Sequence, residues 1–147
     1  MEIEAAMAPY PVRQAAAIDA LRIVQRHQGW VSDEAIAELS KLLEMPIAEL
    51  DGTASFYNLI FRRPVGRHVI LACDSVSCWL MDSKKLMSHI AGCLGVDPGR
   101  TTADGRFTLL PVVCLGACDR APAMMIDEDL HTNVDPDRIG EILDKYE

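Results

Sequence analysis

Cations are scarce in this chain. Its 147 residues carry 14 Lys and Arg against 22 Asp and Glu, for a formal net charge of −8. No basic stripe exists to meet phosphates, which excludes a nucleic-acid binder and a protein held to an anionic membrane surface. Long apolar runs are missing too. The richest stretch, Leu109 to Ala117, is broken by Pro111 and is far shorter than the ~20 residues that cross a bilayer, so no direct membrane insertion is expected. The start, Met1-Glu2-Ile3-Glu4, is acidic and lacks the basic and apolar regions of a secretory signal. The expectation is a soluble, cytoplasmic protein. No glycine-rich phosphate loop is present, so this chain is not expected to bind a nucleotide itself. No Cys-x-x-Cys motif occurs, which argues against a dithiol redox enzyme. The four histidines, His27, His68, His89 and His131, form no pair for a Rieske centre and no carboxylate pattern for a catalytic site. No catalytic residue is expected.

Half of the residues are hydrophobic, enough for a real core in one domain, or in one small domain with an appendage. Residues 11–28 are predicted helical, with Ala16, Ala20, Ile23, Val24 and His27 on one face and Arg13, Arg22 and Arg26 toward solvent. Gly29 is the stop. Ser32 is the expected N-cap of a second helix over Asp33–Leu43, with Asp33 and Glu34 in its first turn. Pro46 opens a short third helix ending near Gly52. The apolar set in Thr53 to Phe61 is assigned to packing these helices together, ahead of a role as partner surface. Arg62-Arg63-Pro64-Val65-Gly66 reads as a linker, dividing the chain into a helical domain, 1–63, and a second domain, 64–147.

In the second domain His68 to Ala72 reads as a buried strand ending at Cys73. A helix capped by Asp82 or Ser83 runs to about Leu94 and stops at Gly95. Asp104-Gly105 marks a turn, and a strand over Phe107 to Val113 ends at Cys114. Ala123 to Ile126 is a third strand. A solvated turn at Asp127-Glu128-Asp129, with no EF-hand spacing for calcium, leads to a fourth strand at His131 to Val134. Asp135-Pro136 opens a last helix through about Tyr146. The class is α+β, an N-terminal helical bundle followed by a small βα…ββα domain.

Four of the five cysteines fall into two tight pairs, Cys73-x4-Cys78 and Cys114-x3-Cys118, each at a predicted strand end. In a reducing cytoplasm such pairs signal metal or redox chemistry rather than disulfides. Two loops with two thiolates each suit a 2Fe–2S cluster. Zinc is the competing metal, although these gaps exceed the two-residue spacing that dominates zinc ribbons. Gly116 would let backbone approach an inorganic sulfide. Cys93 stands alone near a helix end, beside Ile90 and Leu94, and is assigned to core packing.

Cys73-Asp74-Ser75-Val76-Ser77-Cys78 and Cys114-Leu115-Gly116-Ala117-Cys118-Asp119-Arg120-Ala121-Pro122 closely resemble the thioredoxin-like 2Fe–2S subunits of respiratory complex I, the E subunits of bacterial NADH:quinone oxidoreductases. Gly29-Trp30-Val31, Gly52 to Tyr57, Pro64 to Ile70, Thr101 to Pro111 and Met124 to Asp129 match as well, so the resemblance spans residues 10–147; Ser55 stands where a threonine is usual. It raises iron–sulfur over zinc. It implies a thioredoxin-like fold for the C-terminal part and one 2Fe–2S cluster on Cys73, Cys78, Cys114 and Cys118. It further implies an electron-transfer role without a substrate site. The partners would be the flavin- and NADH-binding subunit, which holds FMN, and the rest of the peripheral arm. The location would be cytoplasmic, peripheral to the inner membrane through the complex. The same subunit type is similar to parts of NAD-linked hydrogenases and formate dehydrogenases. A free-standing thioredoxin-like 2Fe–2S ferredoxin is the alternative of a different class. With Asp74 and Asp119 near the cysteines and only Arg120 as a close cation, a low reduction potential is expected.

Overall fold

Three helices carry about half of the first 64 residues. Helix α2 (Ala17–Gln28) follows a 3₁₀ turn at Arg13–Ala16 and ends at Gly29, whose φ of +80° gives the left-handed cap that glycine adopts at little cost. Helix α3 spans Asp33–Leu43, and the Ser32 hydroxyl accepts from the Ala35 amide at 3.2 Å. Helix α4 (Ile47–Phe56) follows Pro46. The computed structural model describes residues 2–146, and the chain divides into two compact units, Met1–Pro64 and Val65–Glu147.

The core of the first unit is built from Ala16, Ala20 and Leu21, then Ile36, Leu39 and Leu43, and then Leu50 and Ala54. Leu21 is fully buried whereas His27, expected on the core face, is exposed. A short helix outside the expected set, α1 (Glu2–Met7), packs on α2. It brings the Glu2 carboxylate to His27 Nε2 at 2.6 Å and to the Arg26 guanidinium at 2.9 Å. Helix α4 also overruns its expected stop, because Gly52 keeps a helical backbone and Thr53 bonds back to the Glu49 carbonyl at 2.9 Å. That phase turns Leu50 and Ala54 inward and Phe56 outward, leaving Phe56 81% exposed, with Tyr57 and Leu59 also exposed. The Thr53 to Phe61 stretch is therefore mostly surface, and only Ala54 and Ile60 join the core. Arg62, read as linker, belongs to this unit. It pairs with Asp33 at 2.7 Å and Asp51 at 2.8 Å and donates to the Val31 carbonyl.

The second unit is a five-stranded sheet in the order β2-β3-β1-β4-β5. The strands are β1 (His68–Cys73), β2 (Arg100–Thr101), β3 (Phe107–Val112), β4 (Met124–Ile126) and β5 (Asp129–His131). Only β1 and β3 run parallel, His68 opposite Phe107 through Cys73 opposite Val112; the other pairings are antiparallel. Strand β2 pairs only with Thr108 and Leu109, so Pro111 lies beyond that ladder, where a missing N–H is tolerated. Helices α5 (Val76–Leu80), α6 (Ser83–Leu94) and α7 (Ile139–Leu143) complete the unit. Its core joins Ile70, Ala72, Phe107, Leu109, Met124 and Ile126 to Leu86, Ile90 and Ile139. Asp82 caps α6 by accepting from Lys85, and Gly95 ends it.

Departures here have local causes. The chain reverses over Asp127-Glu128, with Asp127 at φ +54°, so pairing resumes at Asp129 opposite Ile126. The fourth strand thus lies at Asp129–His131 rather than His131 to Val134. The Asp127 side chain is no solvated bystander, since it accepts from the Val69 amide at 2.9 Å and meets His68 at 2.6 Å. The last helix ends at Leu143, because Arg106 draws the carbonyls of Leu143 and Tyr146 onto its guanidinium. Gly66 fits against β3 so closely that a Cβ there would lie 2.8 Å from the Phe107 carbonyl carbon.

Candidate metal centre

Two neighbouring parallel strands point their C-terminal ends the same way, which gathers the cysteines. Strand β1 ends at Cys73, paired with Val112, and Cys114 follows two residues beyond the end of β3. The loop bases are tied, with the Asp74 amide donating to the Val112 carbonyl at 2.8 Å and the Cys73 amide to Ala123 at 3.1 Å. After Cys73 the chain enters α5, which buries Cys78, and α5 packs on the 3₁₀ turn Cys118–Arg120. Cys73 and Cys78 are buried, and Cys114 and Cys118 are exposed.

All five cysteines are free thiols. The Cys114 and Cys118 sulfurs lie 3.6 Å apart. Cys78 shares a hydrogen bond with Cys73, and both Cys73 and Cys118 act electrostatically on it. Burial pushes the Cys78 thiol up to about 11, the Cys73 contact adds to this, and the Ala123 backbone opposes it. Cys118 is also raised, first by its hydrogen bond with Cys114, with the Ser77 side chain pulling the other way. The cause is common to both: sulfurs crowded together resist becoming adjacent anions unless a cation offsets the charge. Ala117, Ala121 and Ala123 pack against the buried sulfurs, with Leu115 partly buried alongside.

A soft, four-sulfur donor set suits iron–sulfur or zinc chemistry. The cysteines come as two pairs, Cys73 with Cys78 and Cys114 with Cys118, an arrangement that a dinuclear cluster can use. Two amides meet sulfur as well: Gly116 N–H donates to Cys114 Sγ at 3.3 Å, and Ala123 to Cys78. The Cys73 thiol faces the Val113 carbonyl at 3.7 Å. The residues present therefore fit a 2Fe–2S group.

The glycine between the second pair was legible in the sequence. The alanine packing, Ser77 and the Ala123 amide were not, because none of those residue types carries a metal signature. Cys93 stands apart. It is exposed on α6, beside a cleft of 420 Å³ that Thr102, Asp104 and Arg106 also line. Helix phase turns Leu94, not Cys93, toward the core, which corrects its assignment to core packing. Three of the histidines meet single carboxylates. His27 lies on Glu2 and His68 on Asp127, both at 2.6 Å, and His89 approaches Asp137 at 3.6 Å. These contacts tie elements together. His68 begins β1, whereas Cys73 ends it. Near the second loop Asp119 sits 3.6 Å from Arg120.

The Val113-Cys114 end of the sheet is bordered by exposed apolar residues, Val76, Trp79, Leu80 and Val113. No helix among the described residues is long and apolar enough to cross a membrane.

Comparisons with known proteins agree with this chemistry. The E subunit of NADH-quinone oxidoreductase from Pseudomonas aeruginosa is 49% identical over 144 residues, covering 98% of this chain and 87% of that protein. Its counterpart from Escherichia coli strain K12 gives the same identity over the same length. Among solved structures, an NAD+-reducing [NiFe]-hydrogenase in the air-oxidized state superposes with a TM-score of 0.73 at 30% identity. That match covers 86% of this chain but only 22% of the hydrogenase chain. The profile of the thioredoxin-like [2Fe-2S] ferredoxins matches residues 3–147, loops and helical segment together, and the chain belongs to that family.

Proposed function

We infer that this chain is the electron-transfer subunit of the NADH dehydrogenase module of a respiratory complex I, carrying one 2Fe–2S cluster on Cys73, Cys78, Cys114 and Cys118. One observation carries the reading: two thiol pairs meet at adjacent strand ends in a chain related over nearly its full length to the E subunits of NADH-quinone oxidoreductases. When bound, the cluster accepts and returns one electron at a time.

The chain's own residues do the rest. Cys73 and Cys78 hold the buried side, and Ala117, Ala121 and Ala123 keep water from it. Cys114 and Cys118, which are exposed, would hold the cluster on the side open to a partner. That partner is the flavin- and NADH-binding subunit, which supplies FMN and the substrate site that this chain lacks. The protein is cytoplasmic and reaches the inner membrane's surface through the complex. Residues 1–63 act as a helical domain and 64–147 as the cluster domain.

A second reading has support from one observation. The similarity to an NAD+-reducing [NiFe]-hydrogenase favours the equivalent subunit of an NAD-linked hydrogenase. Co-purification separates the two: a quinone-reducing complex supports the first, a hydrogenase the second.

The deciding experiment is an EPR spectrum of anaerobically purified, dithionite-reduced protein with iron and zinc quantified on the same sample. The expected result is a half-integer-spin signal with about two irons per chain. A colourless, EPR-silent protein with about one zinc per chain would overturn the reading.

A further inference from the structure

Gly116 lies between Cys114 and Cys118 with φ of +76°. Its amide donates to Cys114 Sγ, two residues back, at 3.3 Å. A Cβ built there meets nothing within 4 Å, so space is not what asks for glycine. The left-handed backbone is, because most side chains resist that conformation. The same backbone holds the amide toward the sulfur.

We propose that Gly116 is a positioning residue that sets the electron affinity of this centre, by aiming its backbone N–H at the Cys114 sulfur. The inference rests on the assignment of Cys114 as a cluster ligand. Physically, an N–H donor stabilises an acceptor more as that acceptor gains negative charge. Adding an electron makes the ligand sulfurs more electron-rich, so the bond favours the reduced form and raises the potential. Losing it shifts the reduction equilibrium by about tenfold, or ~59 mV for one electron.

The test uses three variants of the full chain with the cluster loaded, and reads the midpoint potential. Asparagine tolerates positive φ, so Gly116→Asn keeps the amide in place and holds the wild-type potential. Valine is β-branched and rejects that region; Gly116→Val must turn the loop, and its potential falls by about that tenfold factor. Gly116→Ala falls between them. If the valine variant holds no iron, the difference between Ala and Asn still reads the effect. Coupling of an exchangeable deuteron to the reduced centre, measured by electron–nuclear double resonance, is expected in Asn and weakened in Val or Ala. Equal potentials in the Asn, Ala and Val variants overturn the proposal while leaving the ligand assignment standing, as does an Asn variant displaced as far as Val. A wild-type chain that takes up no iron overturns the ligand assignment and the proposal together.

Discussion

Serine has nearly the shape of cysteine but offers a hard hydroxyl where iron favours a soft thiolate. Each of Cys73→Ser, Cys78→Ser, Cys114→Ser and Cys118→Ser is therefore expected to lose iron or shift the visible spectrum. Cys93→Ser keeps both, because its thiol is exposed on α6 and lines a cleft with Thr102, Asp104 and Arg106 rather than with the other cysteines. Iron per chain across the five variants checks this, and iron loss in the Cys93 variant as deep as in the rest would remove the ligand assignment. The same residues show how much of the site the sequence makes legible. Pair spacing and apolar runs ending at cysteine suffice to find the two loops, because a strand end fixes where the next residues emerge. Burial within each pair is not legible. It depends on α5, a five-residue helix held by packing on the 3₁₀ turn Cys118–Arg120 rather than by its own propensity. Cys93 shows the converse limit, since a one-residue step in helix phase separates it from the partly buried Leu94.

At the scale of elements, caps are the most readable feature because they act locally. Ser32, Gly29 and Gly95 mark helix ends by side-chain bonding or positive φ, and each needs only its near neighbours. Ser32→Ala should cost about 1 kcal/mol by orphaning the Ala35 amide, whereas Ser32→Asp should cost little; urea unfolding of the pair checks it. Elements that exist through distant contacts are not readable in this way. Helix α1 is secured by Glu2 on Arg26 and His27, and β2 is two residues laid on β3. The C-terminal segment is another case, closed by the Tyr146 hydroxyl donating to Asp129 at 2.9 Å and meeting His131 at 2.9 Å. Burial, then the Asp129 bond, pushes the Tyr146 phenol from 10.0 up to about 12. The unfolded chain loses that proton first, so the contribution is complete below pH ~10 and disappears as pH rises through the folded value. Tyr146→Phe is expected to flatten the alkaline decline, and pH-dependent unfolding of both proteins checks it. An unchanged decline would place its origin elsewhere.

Over the whole molecule the dominant quantity is the charge of −8. Four thiolates around two ferric ions and two sulfides make a site of about −2, which becomes about −3 on reduction. The added electron therefore enters a centre and a protein of the same sign, which favours the oxidised form and lowers the potential. Near the second loop the Asp119 carboxylate offsets its neighbour Arg120 at 3.6 Å, leaving little local positive charge to oppose this. Backbone donors such as the Gly116 amide pull upward, but at contact distance and behind little ionic atmosphere, so salt barely changes them. The two contributions separate by ionic strength. The Debye length falls from ~30 Å at 0.01 M to ~10 Å at 0.1 M, so added salt screens the distant acidic groups first. The midpoint potential is expected toward the negative end of the ferredoxin range and should rise as salt increases from about 0.01 M to about 0.5 M. Asp119→Asn should raise it at low salt and less at high salt. A potential that stays flat with salt and is unmoved by Asp119→Asn would mean that the amides touching the sulfurs govern the centre, and that the acidity of the chain serves its solubility and its choice of partner instead.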